Sequence, residues 1–162
     1  MSKAALQLLR YDVNKIEFNL NNNFVFDNIN KIELNQNLER TIEKIDENTF
    51  KTSLNFEIFS LEEKPTPFTL SIKLSGIFQL KAWENEENNT LATVNTAAIL
   101  FPFIRSLVAT VTANTSVPPY ILPVFNVSAW LEENEKKKSW VFNSFLIAKQ
   151  AKVKIKVAYL KL

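Results

Sequence analysis

The sequence predicts an α+β fold in a single domain over residues 1–162: a four-stranded antiparallel sheet, two C-terminal helices and a short extra strand pattern at the end. Three observations carry this expectation. Apolar and polar residues alternate with period 2 through the first two thirds of the chain. The pattern turns helical after the polar stretch Trp83-Glu-Asn-Glu-Glu-Asn-Asn89. Between the two helical patterns lies a proline-rich segment that no helix tolerates.

The first strand is read from two sets of residues. Leu9, Tyr11 and Val13 hold one parity, and Ile16, Phe18 and Leu20 the other, so the register changes near Asn14, most simply through a bulge. An Asn-rich crossover containing Phe24, Phe26 and Ile29 leads to a second strand marked by Ile32, Leu34 and Leu38. In the third strand Phe50, Leu54, Phe56 and Ile58 face one way and Lys51, Ser53, Asn55 and Glu57 the other. Glu62-Glu-Lys-Pro-Thr-Pro67 cannot continue a ladder and reads as a hairpin loop. In the fourth strand Phe68, Leu70, Ile72, Leu74, Phe78 and Leu80 are apolar, and the intervening positions are mostly Thr, Ser, Lys and Gln. One buried face and one wet face are what an antiparallel sheet needs. Gly76, the single glycine, falls on the buried face. A strand glycine marks a bulge or a close approach, and close helix packing is preferred here to a catalytic role.

Residues Phe101 to Ala113 suit a helix, with Pro102 tolerated in its first turn. Ile104, Leu107, Val108 and Val111 form one stripe, while Phe103, Ala109 and Ala113 make other faces apolar. Such a helix must be covered on more than one side, and one sheet covers one side. The remaining cover is either a second copy, through an interface of Phe103, Ile104, Leu107, Val108 and Val111, or the C-terminal helix of the same chain. Ala97 to Val111 is also the strongest membrane candidate. At about 15 residues, with Pro102 and Arg105 inside it, it falls short of the roughly 20 a bilayer requires and reads as a buried helix without stable membrane insertion.

Asn114 to Asn126 carries Pro118, Pro119 and Pro123 together with Val117, Tyr120, Ile121, Leu122, Val124 and Phe125. It is expected to be extended, and to serve either as a lid over the sheet edge or as the wall of an apolar groove. Asn126 or Ser128 would cap a second helix beginning near Ala129. Its apolar residues would be Trp130, Leu131, Trp140, Val141, Phe145 and Leu146, with Glu132 to Lys138 a solvated segment. Finally, Val153, Ile155, Val157 and Tyr159 alternate with Lys152, Lys154 and Lys156, a strand pattern whose lysines would blunt an exposed edge.

Composition narrows the function classes. The chain has no Cys and no His, which removes the thiolate nucleophile, the disulfide and the commonest metal ligand. One glycine cannot build a glycine-rich phosphate loop, and a net charge of +2 gives no case for nucleic acid. Glu84, Glu86 and Glu87 lie in a polar turn among Asn residues, and Glu62, Glu63, Glu132, Glu133 and Glu135 read alike, as solvated groups rather than an acid–base pair. The chain therefore reads as no enzyme, with no cofactor and no metal. Its N-terminus meets polar residues too soon for a secretory signal, so a cytoplasmic protein is expected.

Three motifs carry a family resemblance: Ser75-Gly-Ile-Phe78, Ile99-Leu-Phe-Pro-Phe-Ile-Arg105 and Val117-Pro-Pro-Tyr-Ile-Leu-Pro-Val-Phe-Asn126. In this order, over a matching strand pattern from about Leu6 to Leu131, the chain resembles the SecB family of bacterial protein-export chaperones. The resemblance implies two C-terminal helices packed on one face of the sheet and a homotetramer built as a dimer of dimers. It also implies an ATP-independent holdase that keeps unfolded preproteins competent for export. Phe24, Phe26, Tyr120, Leu122, Val124, Phe125 and Trp130 would supply the apolar surface for client chains. The family docks on the translocase motor SecA through acidic residues of the open sheet face. The matching positions here hold Lys15, Asn19 and Ser71, so that docking is not expected. The alternative reading is a SecB-like chaperone dedicated to one partner, such as the antitoxin of a toxin–antitoxin pair.

Overall fold

The computed structural model describes residues 5–25, 32–124, 126–134 and 136. Phe26, Phe125, Glu135, the expected apolar residues Trp140 to Leu146 and the strand pattern of 151–162 lie outside the described residues. Four strands, β1 (Gln7–Leu20), β2 (Asn35–Lys44), β3 (Thr49–Phe59) and β4 (Phe68–Gln79), form one antiparallel sheet in the order β1-β4-β3-β2. Every one of the four strands read from the alternation is present. Phe50, Leu54, Phe56 and Ile58 of β3 and Phe68, Leu70, Ile72, Leu74 and Phe78 of β4 are buried on one face.

β1 is an edge strand and carries two irregularities. The register shifts between Val13 and Lys15, which makes Asn14 the extra residue and puts Val13 and Ile16 on the same face. A second shift between Leu8 and Arg10 escaped the sequence reading. It makes Leu9 a bulge residue, so Leu8, not Leu9, stands opposite Phe78. β2 starts at Asn35, later than its apolar pattern suggests, and Ile32 and Leu34 lie on the approach to it.

The helical region begins earlier than expected. α1 (Glu86–Thr90), a π turn (Leu91–Asn95) and α2 (Thr96–Ala113) follow one another without a break. Glu86 is therefore helical rather than part of a polar turn. The start was hidden because backbone and amide bonds secure it: the N–H groups of Asn88 and Asn89 donate to Asn85 O, and the Asn88 side chain donates to Lys81 O at 2.9 Å. Pro102 lies well inside α2, not in its first turn. A mid-helix proline costs about 3 kcal/mol. Leu100, Ile104 and Val108 are fully buried around it, and burying each such side chain contributes about 1.5–3 kcal/mol, so packing outweighs the break. Ala98 and Pro102 are both exposed, where water can take up the carbonyl the proline leaves unbonded.

Two polar contacts hold the π turn. The Arg40 guanidinium, on β2, donates to Thr93 O. Thr52 Oγ1, on β3, donates to Thr96 Oγ1 at 3.1 Å, and Thr96 donates in turn to Ala92 O. The stretch Asn88–Ala113, which holds an 18-residue window with a mean hydropathy of 1.6, is long and apolar enough to cross a bilayer by length and composition alone. It is longer than the span read from the sequence. In the fold its Leu100–Ile104–Val108 row lies buried in the core shared with β3 and β4.

Gly76 sits beneath α2. A Cβ placed there would come within 2.8 Å of Phe78 Cε2, 2.9 Å of Leu100 Cδ2 and 3.0 Å of Leu8 Cδ1. Gly76→Ala should therefore overpack the core and cost about 1–3 kcal/mol. Urea unfolding checks this: the midpoint falls with an unchanged slope, whereas a midpoint equal to the parent's removes close packing as the reason for the glycine.

Candidate binding groove along the proline-rich loop

The loop after α2 is bolted down at three points. Val117 is buried, Leu122 is fully buried, and the Tyr120 N–H donates to Thr112 Oγ1 at 2.9 Å. Thr112 is itself buried and donates to Val108 O at 2.8 Å. From the other side, Gln36 Nε2 donates to Tyr120 Oη at 2.5 Å. Between and beyond these anchors Ile121 is 68% and Val124 85% exposed.

The loop ends in a helix cap. Asn126 Oδ1 accepts the Ala129 N–H at 3.1 Å and Asn126 O accepts the Trp130 N–H, opening α3 (residues 127–134) as the sequence suggested. Trp130 meets Phe56 edge to face, with ring centroids 6.3 Å apart. The Asn134 side chain donates to Leu38 O at 3.0 Å and to Asn37 Oδ1 at 3.2 Å, which ties α3 to β2.

Two depressions run beside this loop, the first apolar and the second of mixed lining. One, of about 140 Å³, is walled by Leu34, Phe68, Val117, Pro118 and Tyr120. The other, of about 490 Å³, lies between Leu34, Gln36, Pro123, Asn126, Trp130 and Glu133. Of the residues expected at a client surface, Tyr120 and Trp130 line these depressions. Val124 stands exposed beside them. Leu122 does not face outward; it is a core residue that supports the loop from beneath. Phe24 is half-buried in the turn after β1, where its N–H donates to Asn21 O, and it lines neither depression. Leu34 and Gln36 are groove residues the sequence reading missed. Leu34 was read only as a strand residue, and nothing in the pattern marks Gln36.

The apolar helix divides between two roles. Ile104 and Val108 are fully buried in the core with β3 and β4, so they are not on a face open to a second copy. Phe103, Leu107 and Val111 are partly buried at its margin, and Phe103 stacks on Tyr11 with centroids 4.4 Å apart. Exposed Tyr11, Val13 and Ile16 of β1 and Ile99 of α2 extend this apolar margin outward.

The open face of the sheet is polar and charge-paired. Lys15 Nζ lies 2.6 Å from Glu17 Oε2, Arg10 Nε 3.0 Å from Asp12, and Lys51 Nζ 3.5 Å from Glu43. The hydrogen bond from Lys15, with a second from Asn19, holds the Glu17 carboxyl below the usual carboxylate range. Lys15, Asn19 and Ser71 line one shallow depression together with Glu17 and Glu57. Glu84 is engaged by Lys44, whose pKa that hydrogen bond raises.

Comparison with known proteins agrees with this architecture. Residues 3–138 match the model of a family described as preprotein translocase subunit SecB. An uncharacterized protein of Methanocaldococcus jannaschii is 36% identical over 139 residues, 84% of this chain and 88% of that one. The protein-export protein SecB of Anaplasma phagocytophilum is 33% identical over 87 residues, and the match covers 52% of this chain and 55% of that one. The match thus spans about half the length of that export protein. Among solved structures, the Mycobacterium tuberculosis Rv1957 SecB-like chaperone, in complex with a ChAD peptide from the HigA1 antitoxin, superposes with a TM-score of 0.57 at 16% identity. That superposition covers 75% of this chain and 91% of the other, and at such low identity it speaks for the fold. The family model and the archaeal relative each match most of the sequence, and the chain belongs to the SecB family.

Proposed function

We propose that this protein is an ATP-independent holdase of the cytoplasm that binds extended, apolar segments of unfolded chains. One observation carries the reading: an apolar depression and a larger one of mixed lining run beside a proline-stiffened loop whose Ile121 and Val124 are exposed although Val117, Tyr120 and Leu122 anchor it. Exposed aliphatic side chains beside an apolar depression form the contiguous, polar-rimmed kind of surface that marks a binding site. Proline fixes the loop in advance, so little ordering entropy is lost when a chain docks. Family membership supports a chaperone role. A dedicated partner is the second reading, supported by the antitoxin peptide held by the M. tuberculosis structural neighbour. Mass spectrometry of captured chains separates the two: many unrelated preproteins mean export, one small protein a dedicated chaperone.

The apolar margin of β1 and α2 supports self-association. A long edge strand with exposed Tyr11, Val13 and Ile16 is a template for pairing, and Ile99, Phe103 and Leu107 recur at one-turn spacing beside it. A dimer of dimers is the assembly we propose.

Ile121→Ser combined with Val124→Ser should weaken suppression of client aggregation, while circular dichroism and melting stay at parental values, because both positions are exposed. Equal protection by this variant would remove the loop from the binding surface. Leu122→Ala should instead lower stability by about 2–5 kcal/mol.

Val13→Asp or Ile99→Asp should reduce the assembled mass in light scattering without unfolding the protomer. An unchanged mass, or a monomeric parent, would refute the interface.

Binding to SecA should be weak, since Asp12, Glu17 and Glu43 of the open face are paired with Arg10, Lys15 and Lys51, and the positions of Lys15, Asn19 and Ser71 carry no acid. Lys15→Asp with Asn19→Glu and Ser71→Glu should strengthen binding at low salt and lose the gain as salt is added. Tight, salt-sensitive binding by the parent would contradict this.

A further inference from the structure

The two depressions share Leu34, and one hydrogen bond stands between them. Tyr120 lines the first, Gln36 lines the second, and Gln36 Nε2 donates to Tyr120 Oη at 2.5 Å. Leu34, just before β2, and Gln36, within it, line the second depression together. The bond therefore runs from β2 to the loop at the boundary of the two depressions, which both take Leu34 as a wall. The loop backbone on either side is fixed. Pro118, Pro119 and Pro123 restrict it, Val117 and Leu122 are buried beneath it, and the Tyr120 N–H is held by Thr112. The Gln36–Tyr120 contact is different in kind: it joins two half-buried, uncharged side chains and can open by side-chain rotation alone.

We propose that the Gln36–Tyr120 hydrogen bond is a crossbar that divides the groove and makes binding depend on client length. The proposal rests on the client-binding reading above. A short apolar segment occupies one depression with the bar closed. A longer extended segment, lying through both, must break it. The closed bar thus leaves short segments untouched and opposes long ones. Relative to an undivided groove, it shifts preference toward short apolar stretches.

Tyr120→Phe keeps the ring in the first depression and deletes the hydroxyl. Two fluorescent peptides of the same apolar composition serve as probes, one of about five residues, roughly 17 Å extended, and one of about twelve, roughly 40 Å. The variant should bind the longer peptide about fivefold tighter, the size of one net hydrogen bond that no longer has to be broken. Because Tyr120 lines the first depression, the shorter peptide serves as the reference, and the ratio of long- to short-peptide affinity should rise about fivefold. Gln36→Met should act in the same way, and the double variant should be no tighter than either single one, because both delete the same bond. A tyrosine that merely props the loop gives a different result: both peptides weaken together in Tyr120→Phe. That outcome, or no change with either peptide in both single variants, overturns the crossbar. A parent that binds neither peptide overturns the client-binding reading itself, and the two failures are thereby distinct.

Discussion

The packing of α2 on β3 and β4 depends on a close approach, the descent of Leu100 onto Gly76. With no side chain on that residue, Leu100 settles beside Phe78 and Leu8, and the row Leu100, Ile104 and Val108 closes on β3 and β4. The end of that row fixes Thr112, whose hydroxyl takes the Tyr120 N–H. Tyr120 then reaches Gln36 on β2. A chain of contacts thus leads from one missing methyl group in the core to the wall of the groove. Each link is short-range and directional, so an error in helix height would be passed on as an error in groove width.

The strands were legible because one sheet face is wet. Alternation in β3 and β4 therefore gave the apolar buried set, but not Thr52, buried on the same face, nor Ser53 and Ser75, small residues that are buried on the opposite one; the parity change in β1 located the bulge at Asn14. The bulge at Leu9 left no such trace, since it lies near the strand's beginning, where too few residues precede it to define a parity. The start of the helical region was illegible for another reason. Residues 86–90 lack apolar spacing, and their cap consists of main-chain bonds to Asn85 O rather than a side-chain cap.

The proline-rich loop was legible as an element but not in its facing. It has neither a period of 2 nor one of 3.6, so Leu122 and Val124 look equivalent in sequence although one is fully buried and the other is not. Tertiary bonds to Thr112 and Gln36 decide the matter. Gln36 could be found only from the structure, because a single amide beside a tyrosine from another element carries no sequence signature. The same holds for the apolar helix. Its stripe was visible, but the division between residues spent on the chain's own sheet, Ile104 and Val108, and those left at the margin, Phe103 and Leu107, depends on which side of the helix lies over β3 and β4.

The π turn at Leu91–Asn95 bears on how length can change in this chain. A π turn holds one residue more than the α-helical turn it replaces. Arg40 and Thr52 grip the region through Thr93 O and Thr96 Oγ1, so the flanking segments keep their orientation while the surplus residue is absorbed locally. A relative lacking one residue here would run as an uninterrupted α-helix and still present the same faces to the sheet on both sides. This is a place where gene sequences can drift by a codon triplet without shifting the frame of contacts that the fold requires.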